Sequence, residues 1–179
     1  MSGSLAPYKQ GALDYLCGLY SIVNGMRFAA ARDRPLSKRE SRWLFREGMK
    51  WLVEVECAYI VRVGLEPEYW HDLAWHLFGV AAEKGLVDLK RGKRALRILS
   101  FETEEAIHEV ERAVASGIAV AVELQRALNH YTVVSGIEDD RWILFDSNNN
   151  TSIKKTSLGA KGVGKRHNLG DRAIFFQPR

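Results

Sequence analysis

Along the first half of the chain, apolar residues recur at three- and four-residue steps, the spacing of one helix face. Leu16, Leu19, Tyr20, Val23, Met26 and Ala30 form the first stripe, with Asp14 placed to cap its start and Arg32-Asp33-Arg34-Pro35 to stop it. Ser37-Lys38-Arg39-Glu40 is a capping-box pattern, so a second helix follows and turns Trp43, Leu44, Met49, Trp51, Leu52 and Val55 toward a core. Beyond Gly64, Pro67 opens a third helix through Tyr69, Trp70, Leu73, Trp75, Leu77 and Val80, ending near Gly85. The tryptophans at these spacings read as core residues.

The period then changes. Arg94 to Phe101 reads as a strand, Thr103 caps a short helix carrying Ile107, Val110 and Val114, and Ser116-Gly117 ends it. Ile118 to Leu124, His130 to Ile137, Arg141 to Phe145 and Arg172 to Phe176 are rich in β-branched and aromatic residues and read as strands. A helical N-terminal half followed by an antiparallel sheet is an α+β pattern. At 179 residues, against roughly 150 per domain, residues 1–179 are expected to form one domain that buries about 70% of its unfolded surface.

Composition narrows the class. Two cysteines cannot staple a disulfide scaffold, so Cys17 and Cys57 need separate explanations. The opening MSGSLAPYKQ lacks a basic stretch followed by an apolar one, and the apolar runs are strand length; neither a signal peptide nor a membrane span is expected. With 26 Lys and Arg against 22 Asp and Glu the net charge is +4, concentrated at Arg27 to Arg46 and at Lys154 to Arg166. These charges read as solvated faces rather than a nucleic-acid surface.

Cys17 falls in the first turn of the first helix, where the positive end of the helix dipole stabilises an anion such as a thiolate. Gly18 beside it would let a peptide backbone approach the sulfur. His130 begins a strand, and the returning strand ends in Phe145-Asp146-Ser147-Asn148, so a histidine and a carboxylate on neighbouring strands supply a base and its orienter. Register decides whether they meet. If Ile137 pairs with Arg141 around a three-residue turn, Asp146 lies opposite Thr132 and diagonal to His130 on the same face. A two-residue turn at Asp139-Asp140 would turn Asp146 away unless a bulge intervened. Asn148, of the same parity, is the reserve orienter.

No metal site or cofactor is expected. His71 and His76 lie five apart on a helix, about 140° round it, which is not a two-ligand geometry. His108 and His167 read as surface residues, Cys57 as a buried core thiol. Gly159 to Lys165 has glycines and a lysine, but not the strand-to-helix setting of a phosphate loop.

The order Gln10…Cys17-Gly18, with the cysteine opening a long helix, followed by a strand-initial His130 and by Asp146 sixteen positions on, resembles the papain-like cysteine peptidases. It is most similar to the bacterial C39-like branch, whose third member is often Asp. The resemblance spans residues 10–148. It implies a papain-like fold, with Cys17 as nucleophile, His130 as general base and then acid, Asp146 as orienter, and Gln10 with the Cys17 backbone N–H as oxyanion hole. Six residues separate Gln10 from Cys17, where the family usually has five. The expected activity is that of a cysteine endopeptidase cleaving a specific protein through an acyl-enzyme. A basic, free-standing peptidase core also resembles bacterial toxin effector domains. That likeness implies action in the cytoplasm or in a target cell reached by a secretion machine, with a small acidic immunity protein as inhibitor. A glutamine deamidase or transglutaminase using the same three residues, and a non-catalytic basic binding module, are the alternatives.

Overall fold

The computed structural model describes residues 5–11, 15–55, 64–91, 95–99, 103–159 and 164–179. Four α-helices precede or interrupt a seven-stranded sheet among these residues. Helix α1 spans Cys17–Ala30, α2 Lys38–Glu54, α3 Pro67–Glu83 and α4 Thr103–Ala115. The strands are β1 Leu96–Ile98, β2 Val120–Arg126, β3 His130–Glu138, β4 Arg141–Leu144, β5 Ser152–Lys154, β6 Leu158–Gly159 and β7 His167–Phe175. The expected α+β class and a predominantly antiparallel sheet are present, since every strand pair but β6 on β7 is antiparallel.

Local chemistry explains the helix limits. Ser37 accepts the Glu40 N–H while the Glu40 carboxylate accepts the Ser37 N–H, so the capping box forms in full. Pro67 occupies the first turn of α3. At α1, Leu16 takes the N-cap position without a side-chain bond, displacing the expected cap, Asp14, which lies outside the described residues. Cys57 lies outside them as well.

The strands β2 to β5 form a meander, and β7 enters between β1 and β2, giving the order β1-β7-β2-β3-β4-β5. Both faces of the sheet are covered. Ala119, Ala121, Tyr131 and Val133 pack with residues of α1, α2 and α3, while Val120, Val122, Val134 and Trp142 pack with Val110 and Val114 of α4. Trp70 is fully buried, but Trp75 is 46% exposed, contrary to its reading as core. Five residues along a helix place it about 140° from Trp70, off the buried stripe of Leu73, Ala74 and Leu77. His167 is also corrected: it opens β7 and is buried, because β7 begins five residues before Arg172.

The β3–β4 hairpin turns through two residues, so Glu138 pairs with Arg141, not Ile137. A bulge between Val134 and Gly136 then shifts the ladder, and Val134 pairs with Leu144. The Phe145 N–H donates to the Val133 carbonyl at 2.8 Å, continuing the shifted register to the end of the hairpin. That continuation puts Asp146 opposite Thr132.

Candidate active site

The first turn of α1 is fixed by α3. The Trp70 indole N–H is shared between the Gly18 carbonyl and the Ser21 hydroxyl, each at 3.2 Å, and Ser21 donates back to the Gly18 carbonyl at 2.7 Å. A Cβ at Gly18 would lie 3.2 Å from Leu65 and 3.3 Å from Trp70. The missing side chain lets Leu65 and Trp70 pack closely on this turn. Cys17 stands at the start of this pinned turn, 8% exposed.

His130 is positioned by the residue after it. The Tyr131 hydroxyl donates to the Leu65 carbonyl at 2.8 Å and its ring lies 4.4 Å from that of Trp70, so the start of β3 and the start of α1 share one anchor. His130 Nε2 lies 2.6 Å from Asp146 Oδ1, both side chains being buried. The Cys17 side chain is within hydrogen-bonding reach of His130. Burial opposes charging His130, but the bonds to Asp146 and Cys17 outweigh it and raise its pKa to about 9. Burial likewise opposes ionising Asp146, yet contacts with His130, Thr132 and the Asn150 N–H hold its pKa at about 2. An imidazolium and a carboxylate thus face each other, with Cys17 close enough to favour the ring's charge.

The second carboxylate oxygen of Asp146 is also occupied. Oδ2 accepts the backbone N–H groups of Asn148 (2.9 Å) and Asn150 (3.1 Å) and the Asn150 side-chain amide (2.9 Å). Asn148 consequently supports Asp146 through its main chain, and Asp146 itself bonds the ring, so the reserve orienter is not needed. Asn150 escaped notice in the sequence, although Asp-Ser-Asn-Asn-Asn is a run in which an Asp side chain readily bonds N–H groups just downstream.

Gln10 is brought to the same corner. Its N–H donates to the Ser147 carbonyl at 3.0 Å, and its side-chain oxygen accepts the Ser147 hydroxyl at 3.4 Å. The segment 5–11 that carries it is strapped to α1 by Asn24, which is fully buried and bonds both main-chain groups of Tyr8, accepting at 2.7 Å and donating at 3.1 Å. Lys9 adds a bond from Nζ to the Asp146 carbonyl at 3.1 Å. A polar Asn within the apolar stripe of α1 is the sequence signal for this strap, and its partner was not readable.

No family model matches the chain, and neither curated proteins nor solved structures gave a match. Among the described residues no group of three His, Cys, Asp or Glu side chains is arranged to hold a metal ion, and no helix is long and apolar enough to cross a membrane.

Proposed function

We propose that this protein is a cysteine hydrolase of papain-like type acting on polypeptide substrates, with Cys17, His130 and Asp146 as its catalytic residues. The observation that carries the reading is the buried His130–Asp146 contact at 2.6 Å with Cys17 in reach of the same ring. With the proton held on His130, the Cys17 sulfur attacks an amide carbonyl. The tetrahedral oxyanion collapses to an acyl-enzyme as His130 protonates the departing amine. Water, deprotonated by His130, then attacks the thioester and releases the acid. Asp146 holds the ring with its free nitrogen toward sulfur and stabilises its charge. The Cys17 N–H, unpaired within the helix because it lies in the first turn, and the Gln10 amide are the proposed oxyanion donors.

The test is mass spectrometry of a peptide library treated with the wild type and with Cys17→Ala. New chain termini formed by the wild type alone are expected. Conversion of glutamine to glutamate without chain cleavage would replace peptidase by deamidase, and identical products from both proteins would remove Cys17 from the chemistry.

A further inference from the structure

We infer that the groove between the strap at Tyr8 and Lys9, helix α1 and the first half of α2 is a docking site for an acidic polypeptide segment that carries an apolar anchor residue. The groove has a volume of about 750 Å³. Its floor is aromatic and half-buried, formed by Tyr8, Tyr20 and Phe45, with the Tyr20 and Phe45 rings 4.9 Å apart. Its rim is cationic: Lys38, Arg39, Arg42 and Arg46 project from one side of α2, and Lys9 stands opposite. No acidic residue lines it. Phe45 of the basic stretch is thus joined in space by Tyr8 and Tyr20 from other segments.

The four rim charges on α2 are unpaired. Among the described residues, Lys38, Arg39, Arg42 and Arg46 have no carboxylate partner, because Glu40 is engaged by Ser37 and Arg34 and Glu47 by Lys50. Lys38 and Arg42, Arg39 and Arg42, and Arg42 and Arg46 stand three or four residues apart, where like charges destabilise a helix by a few tenths of a kcal/mol per pair. Carboxylates arriving from a partner would relieve that repulsion. The floor, in turn, offers an apolar side chain a place out of water.

Other anions fit less well. The start of α2 would be a phosphate site were its N–H groups free, but the Ser37–Glu40 box already uses one there. The floor rings pack on each other at a tilt of 53° instead of presenting parallel faces for base stacking. Position gives the site its purpose: Tyr20 is one turn beyond Cys17, and Lys9 touches the Asp146 main chain. None of the three catalytic candidates lines the groove, so binding there does not depend on their chemistry.

The experiment is fluorescence anisotropy with a fluorescein-labelled peptide alternating Glu with Leu and Phe, using wild-type protein, Cys17→Ala and the double variant Arg42→Glu, Arg46→Glu. Wild type and Cys17→Ala should bind alike, with affinity falling as salt is raised. The double variant should bind at least ~10-fold more weakly. If charge reversal perturbs folding, Arg42→Gln with Arg46→Gln replaces it, with a smaller loss expected. Absence of binding, equal binding by the charge variants, or displacement of the peptide by a lower concentration of an oligonucleotide of equal charge would overturn the proposal.

Discussion

Replacing Asp146 by Asn changes one atom and asks the whole site to choose a new proton arrangement. The carboxylate accepts three N–H donors on Oδ2 and faces His130 with Oδ1. An asparagine satisfies three donors only by turning its oxygen to them, which points its NH₂ at His130 Nε2. The ring must then accept there and carry its proton on Nδ1, toward sulfur, where it cannot receive another. Hydrolysis is expected to fall by about 10²–10⁴, the range for a base held in the wrong tautomer.

Stability changes with a defined pH signature. His130 is raised from 6.5 to about 9, which corresponds to on the order of 3 kcal/mol shared between Asp146 and Cys17; the lowered pKa of Asp146 expresses the same bond and is not added again. Because the His130 pKa is raised on folding, its contribution is full below 6.5 and is lost as pH climbs through about 9. Because that of Asp146 is lowered, its contribution is full above 3.8 and is lost as pH falls through about 2. The Tm deficit of Asp146→Asn should therefore be greatest between these limits, at about 5–8 °C near pH 5.5, and should shrink toward pH 10. Calorimetry across pH 4–10 checks this. A deficit that is constant with pH, or unchanged hydrolysis, would refute the proton arrangement argued above.

Other consequences are open to simple measurement. Iodoacetamide at neutral pH should modify Cys17 ahead of Cys57, read by peptide mass spectrometry, and His130→Ala should slow the Cys17 reaction selectively. Gly25→Ala would set a Cβ 2.1 Å from the rigid Phe176 ring, and Gly48→Ala one 2.5 Å from the mobile end of Leu19. Urea unfolding should show the first losing about 3 kcal/mol or more and the second clearly less. Burial pushes the His71 pKa down to about 4, so the stability it permits is complete above 6.5 and is lost as pH falls toward 4. His71→Gln should flatten the decline of Tm over that window, and an unaltered decline would assign it to other groups.

The helical half and strands β2 to β4 were legible because their signals are local: a capping box, a proline at a helix start, and runs of β-branched residues. Cys17, His130 and Asp146 could be picked out for the same reason, each sitting at the end of an element. What joined His130 to Asp146 was less visible. The choice between a two- and a three-residue turn is set by Asp139 adopting φ +50°, and the bulge beyond it depends on how Ser135 fits between two covered faces. Neither is written in a pattern of period two. Gly18, Asn24 and Asn150 act through partners distant in space or through main-chain bonds, so residue type alone did not separate packing from chemistry. The short strands β5 and β6 and the early start of β7 carry too few residues, or too many polar ones, to announce themselves.

The place of β7 sets an order of events during synthesis. As the chain leaves the ribosome, α1 appears first, then the meander that carries His130 and Asp146, yet β1 and β2 wait for the strand that belongs between them. A nascent chain reaching only residue 166 holds all three catalytic candidates while β2 presents a bare edge and the notch at Gly25 lacks the Phe176 ring that fills it. Loop closure over so long a span is slow. The sequence thus delays a closed core until β7 has been made.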